Sequence, residues 1–381
     1  MKALRDWIHK EKPLDRYDRE RWLQYLSVTK KDSRAIMAMK DDFAQHIDEF
    51  IEGFCEHILK QKETSVFIMD TDVIKRLKPS VKGYFTELLK GNYGKDYFND
   101  RLNIAYTHER IGVGPGWYIG AYTHFFQFAI DRIFLKYPDK PEKAQHAINA
   151  FTKVFFLDMS IAMEAYAYKT HDRLKTAELE TVYRLSRAAE YRDDQTGNHI
   201  MRLGHYSAVV ARNMGMKGDE VEDIFAAAPM HDIGKIGVPD SILLKPDKLT
   251  PGEFEKIKTH SIVGGLILAT SESRLLQKAQ EIALSHHERY DGAGYPHGLH
   301  SDEIPLSGKI IAVCDVFDAL TTKRPYKPAF SNEEALMEIK KGGGSHFDPQ
   351  VSDAFFKGVD EILTIQKRFQ EETANQIIKK I

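Results

Sequence analysis

Between Lys143 and Glu190 the chain runs without a proline or a glycine. No other feature limits the fold so strongly: strands need frequent turn residues, whereas one long helix takes up an unbroken stretch of this kind. Its apolar residues Phe151, Val154, Phe155, Ile161, Ala165, Leu174, Val182 and Leu185 keep to a helical face, too unevenly spaced for a heptad repeat. Residues 41–60 carry the same period in Phe43, Ile47, Phe50, Phe54 and Ile58. Alternating strand-like runs are scarce, and proline and glycine gather at a few points such as Gly112 to Gly116 and Gly234 to Pro239. The expected fold class is all-α. At 381 residues, 42% apolar and 29% charged, the chain exceeds what one hydrophobic core supports, so two domains joined by the long helix are expected.

Charge excludes several partners. Lys and Arg total 54 against 56 Asp and Glu, a net charge of −2 that attracts neither DNA or RNA nor an anionic membrane. An anionic ligand must therefore be held by local groups. Cys55 and Cys314 are too few for a disulfide framework, and neither a signal-peptide core nor a run of about 18 apolar residues is present. A cytoplasmic protein is expected. The face of the long helix offers a route to a homodimer.

The string MHDIGKIGVPD sets His231 beside Asp232, with Lys235 expected on the same helical face. Further along come His199 in DDQTGNH, His260 in KTHS, the pair His286 and His287 in SHHERYDGAGYP, and Asp315 in AVCDVFDAL, in chain order except for His199, which precedes the pair. Five imidazoles and two carboxylates can hold two cations if Asp232 bridges them. With ILLKPDKLTPGEFEKIKTHS, the triplet Gly294, Tyr295, Pro296, the string DVFDALTTKRPYKPAFS and GGGSHFDPQV, residues 178–370 resemble the HD-GYP subfamily of HD phosphohydrolases. The resemblance implies hydrolysis of cyclic di-GMP, a bacterial second messenger, to pGpG or GMP. It implies one metal on His199, His231, Asp232 and Asp315 and another on Asp232, His260, His286 and His287. Iron or manganese is favoured, and zinc also suits these ligands. Asp232 and Lys235 would act in catalysis, Arg324 and Lys327 would anchor phosphate, and Tyr295 would offer a face to guanine. One position departs from the subfamily: Gln195 stands where many members have a glutamate that binds a third metal, so two metals are expected.

The first half carries RLNIAYTHERIGVGPGWYIGAYTHFF, a histidine-bearing helix, a Gly/Pro turn and an aromatic helix. Haem needs an axial imidazole against a broad apolar lining, here drawn from residues such as Phe85, Tyr97, Ile111, Trp117, Tyr122 and Phe125. HERIGVGPGWYIGAY, with YLSVTKKDSRAI and FIEGFCEHIL before it, resembles the globin-coupled sensors over residues 15–165. That resemblance implies haem b on His108 and oxygen or another diatomic gas as ligand. Cys55 stands where a tyrosine commonly stabilises bound oxygen, and a thiol is a weak donor. The expected layout is a globin-like sensor over 1–165, a connecting helix over 166–180 and a phosphodiesterase over 181–381, with gas binding regulating hydrolysis. The alternative is a receptor that binds cyclic di-GMP with little or no turnover and signals through protein partners.

Overall fold

A computed structural model describes residues 19–67, 71–193, 198–322 and 328–378. They form helices and short 3-10 turns; among them no strand occurs, only a single bridge between Gly343 and Phe347. The chain divides into two units, Met1–Thr176 and Ala177–Ile381. No described helix is long and apolar enough to cross a membrane.

The first unit holds α1 (Arg19–Tyr25), α2 (Lys30–Met37), α3 (Lys40–Lys60), α4 (Lys62–Ser65), α5 (Thr71–Leu88), α6 (Lys95–Ile111), α7 (Pro115–Lys136) and the start of α8 (Pro141–Glu190). A capping box opens α2: the Thr29 hydroxyl accepts from the Asp32 N–H while Asp32 accepts from the Thr29 N–H. On α3 the residues Phe43, Ile47, Ile51 and Phe54 are buried, each at the three- or four-residue step that keeps one face inward. Phe43 stacks on Phe151 with centroids 5.2 Å apart, and Phe85 and Phe125 pack at 5.0 Å. Burial of each such ring stabilises the unit by roughly 2 kcal/mol. Helix α6 stops at Gly112, whose φ of +90° a side chain would resist, and α7 starts with Pro115, whose missing N–H is not needed there.

A charged network sits inside this apolar core. Asp158 of α8 accepts from the Tyr84 hydroxyl at 2.6 Å, the Tyr97 hydroxyl at 2.7 Å and Arg101 Nε at 3.1 Å. Both of its oxygens accept hydrogen bonds, and pairing of this kind is the condition for burying a charge.

Helix α8 is unbroken from Pro141 to Glu190, as the missing breakers require. Its residues Phe151, Val154, Phe155, Ile161, Ala165 and Val182 are buried, but Leu174 and Leu185 are exposed, so the expected apolar face is not buried along its whole length.

The second unit continues with α9 (Asn198–Asn213), α10 (Gly218–Ala227), α11 (Asp240–Leu243), α12 (Pro251–Ile267), α13 (Arg274–Ser285), α14 (Leu306–Thr321), α15 (Asn332–Gly342), α16 (Pro349–Lys357) and α17 (Val359–Ile378). Helix α9 is buried along most of its surface because α10, α14, α16 and α17 all pack on it. Thr250 and Glu253 form the capping box that starts α12, again with proline first in the helix.

Candidate metal centre and haem site

His231 and Asp232 do not lie on an α-helix. They sit between two 3-10 turns, Ala228–Met230 and Ile233–Gly237, which corrects the helical face expected from their spacing. The second turn is pressed against α12, and a Cβ on Gly234 would come within 1.9 Å of the His260 carbonyl oxygen. Only glycine allows that approach, and the approach brings His231 and Asp232 beside His260. His199 comes from the first turn of α9, His286 from the end of α13 with His287 after it, and Asp315 from α14.

The two oxygens of Asp232 face different imidazoles. Oδ2 is 3.2 Å from His231 Nε2, whereas Oδ1 is 3.2 Å from His260 Nε2 and 3.7 Å from His286 Nε2. Asp315 Oδ1 lies 3.4 Å from His199 Nε2 and 3.9 Å from His231 Nε2. Ligand atoms of Asp232, His260, His286 and His287 all fall within 4.8 Å of one another, and so do those of Glu190, His199 and His231.

Tautomers show that these groups fit cations. Nδ1–H of His231, His260 and His286 donates to the carbonyls of Ala228, Ile257 and Ile282 at 3.0, 2.7 and 3.1 Å. His199 Nδ1–H donates to Asp318 Oδ2 at 2.7 Å, and Arg202 holds Asp318 through both guanidinium edges at 2.6 and 2.7 Å. Since carbonyls only accept, each neutral ring turns its Nε2 lone pair inward. His260 Nε2 and His286 Nε2 then oppose each other at 3.4 Å, an arrangement that a shared cation relieves. Burial works against a charged His231, yet Asp232 outweighs it and raises the imidazole pKa to about 9. Burial and the neighbouring histidines instead lower His286. Asp232 is held well below the carboxylate range despite burial, chiefly by the Lys235 ammonium.

In the first unit His108 occupies the last turn of α6, and its Nδ1–H donates to the Ile104 carbonyl at 2.8 Å. Burial lowers its pKa, so the ring is neutral with Nε2 left as the electron-pair donor an iron needs. The Tyr118 ring lies 5.1 Å away, and Phe85, Tyr97, Tyr122 and Phe125 are buried in the same core. Ile111 and Trp117, expected in the lining, are 48% and 45% exposed, because both fall at the turn between α6 and α7. Cys55 is buried on α3, and burial pushes its thiol pKa up.

Residues 15–171 match the protoglobin family, and residues 183–351 match the HD domain. A cyclic di-GMP phosphodiesterase of Thermotoga maritima is 43% identical over 253 residues, covering 63% of this chain and 68% of that protein. The chain belongs to the HD-domain family. A probable cyclic di-GMP phosphodiesterase of Vibrio cholerae is 40% identical over 247 residues, which cover 61% of this chain and 56% of the relative. The chain thus spans little more than half the length of that protein. A 3'3'-cGAMP-specific phosphodiesterase 2 of the same organism is 42% identical over 193 residues, 51% of this chain and 37% of the relative. A protoglobin domain, a fold that carries haem, therefore precedes an HD domain, a fold that carries divalent metals.

Within the HD domain, Lys235 Nζ lies 2.8 Å from Asp232 Oδ2. The Tyr295 ring packs against the His287 imidazole with centroids 4.6 Å apart, and its backbone N–H donates to the His287 carbonyl at 3.2 Å. One side of the expected guanine platform is therefore taken by the His287 ring. Arg324, Lys327 and Gln195 lie outside the described residues. Sequence reading missed four residues that shape this centre. Asp318 and Arg202 orient His199; both sit at helical steps from expected ligands, three residues after Asp315 and after His199. Glu288 accepts from the N–H groups of His297 and Leu299 at 2.7 and 3.0 Å, pinning the loop that carries Tyr295. Glu190 is buried beside His199, with nothing in its sequence surroundings to mark it.

Proposed function

We propose that this chain hydrolyses cyclic di-GMP to pGpG or GMP at the HD-domain centre, under control of a gas bound at haem b on His108. The observation carrying the reading is Asp232, whose two oxygens address two separate sets of imidazoles. His199, His231, Asp232 and Asp315 would hold one cation and Asp232, His260, His286 and His287 the other, iron or manganese by preference and zinc as the alternative. Bound there, the pair supplies a hydroxide at neutral pH and neutralises charge on the phosphodiester. Asp232 would belong to both ligand sets, and Asp318 with Arg202 keeps His199 turned inward. The Lys235 ammonium, 2.8 Å from Asp232 Oδ2, is placed to meet a non-bridging phosphate oxygen or give a proton to the leaving oxygen. Arg324 and Lys327 anchor phosphate, and the open side of Tyr295 takes guanine. A substrate that is an intracellular messenger is the argument for a cytoplasmic protein, and the exposed Leu174 and Leu185 of α8 favour a homodimer through that helix.

The test uses full-length ferrous protein loaded with manganese under anaerobic conditions, given cyclic di-GMP or 3'3'-cGAMP with and without oxygen. Linear pGpG or GMP formed at a rate that oxygen changes is the expected result. His108→Ala should lose the haem absorbance and the oxygen response while keeping hydrolysis. Cleavage of 3'3'-cGAMP alone would reassign the substrate, and binding without product would favour the receptor.

A further inference from the structure

Glu190 is the last residue of α8 and is 2% exposed. Neither of its carboxylate oxygens has a hydrogen-bond partner among the described residues. Oε1 lies 3.7 Å from His199 Nε2, the same atom that Asp315 Oδ1 approaches at 3.4 Å. One Glu190 oxygen, one His199 nitrogen and one His231 nitrogen fall within 4.8 Å of one another. A carboxylate buried without donors is unfavourable unless a positive charge faces it. Asp318, equally buried in the same unit, shows the ordinary solution: two bonds from Arg202 and one from His199. No arginine among the described residues hydrogen-bonds to Glu190, and its Oε1 lies on the Nε2 side of His199, where a cation would sit, with a Glu190 oxygen within 4.8 Å of a His231 nitrogen.

We infer that Glu190 is a ligand of the cation held by His199, His231 and Asp315. The inference rests on the two-cation reading. It makes the halves of the centre chemically unequal: three carboxylates, counting shared Asp232, and two imidazoles on one side, against one carboxylate and three imidazoles on the other. Oxygen-rich sites suit manganese and imidazole-rich sites suit zinc or iron, so the Glu190 side is the one that takes the harder ion.

The experiment is a titration of chelator-stripped full-length protein with manganese(II), followed by equilibrium dialysis, elemental analysis and electron paramagnetic resonance. Wild type should bind two ions per chain with the spectrum of a coupled pair, Glu190→Gln should bind one tightly with an isolated-ion spectrum, and Glu190→Asp should fall between. Thermal melts separate a ligand from a merely structural residue. Stripped Glu190→Gln should melt at or above stripped wild type, because it loses an unpartnered buried charge, yet gain less from added manganese. Two ions bound by Glu190→Gln with wild-type affinity would overturn the inference. Wild type binding a single ion that Glu190→Gln loses would overturn the two-cation reading and keep Glu190 as a ligand, whereas a single ion that the variant retains would overturn both.

Discussion

His199 illustrates how much the orientation of a single side chain owes to its neighbours. Its Nε2 can point at Asp315 and Glu190 only because Nδ1–H is committed to Asp318, and Asp318 is in turn committed to Arg202. Burial works to raise the Asp318 carboxyl, but Arg202 and His199 outweigh it and hold it below the usual carboxylate range. Asp318→Asn keeps the shape and removes the charge that holds both partners. Manganese affinity on that side of the centre should fall by about 10–100-fold, as for other partners of metal-bound histidines. Equilibrium dialysis of the variant measures this, and an unchanged affinity would reduce Asp318 to a partner of Arg202 alone.

Helices α2 and α8 meet through one carboxylate. Asp32 closes the capping box of α2 with Thr29 and also receives Lys153 Nζ of α8 at 3.1 Å. Burial pushes its pKa up, but the Thr29 and Lys153 hydrogen bonds together prevail, so the folded value lies below the ordinary one. A group depressed in this way stabilises fully above its unfolded pKa of about 4, and the contribution is lost as pH falls through the folded value. Asp32→Asn should therefore lower the melting temperature of the first unit at neutral pH, with a loss of about 1 kcal/mol typical of a cap. The two proteins should converge as pH falls from about 4 to below the folded value, since protonation then removes the charge from wild type. Melts that stay equally far apart down to acid pH would exclude the carboxylate as the origin.

At the scale of the whole molecule α8 is the one element shared by both units. It carries Asp158, bonded to Arg101 two turns before His108, and Tyr166, whose hydroxyl donates at 2.8 Å to the Val113 carbonyl just past α6. Arg173 pairs with Glu109, the residue after His108, at 2.6 Å. The same helix ends at Glu190. The segment around His108 is thus tied to α8 by three bonds. Two glycines inserted after Thr176 weaken the helix by about 1 kcal/mol each. On the proposed function, the insertion should leave hydrolysis of cyclic di-GMP intact and abolish the proposed dependence on oxygen. Retention of the oxygen response would mean that the signal does not travel along α8.

Much of this was legible in the amino-acid order. The missing breakers between Lys143 and Glu190 determined the longest helix, the apolar steps of α3 determined its buried face, and glycine and proline around residues 112–115 determined where α6 ends. These are local effects, decided by backbone sterics and period. The histidines and Asp315 stood out because their order and the strings around them resemble the HD-GYP subfamily. Tertiary structure decided the rest. Only the close pass of Gly234 against α12 sets the two oxygens of Asp232 toward different imidazoles, and only burial distinguishes Glu190 from the other glutamates of a charged helix. A carboxylate becomes a candidate ligand through what surrounds it in space, and those surroundings come from α8, α9 and the turn around Asp232, segments whose approach no local pattern records.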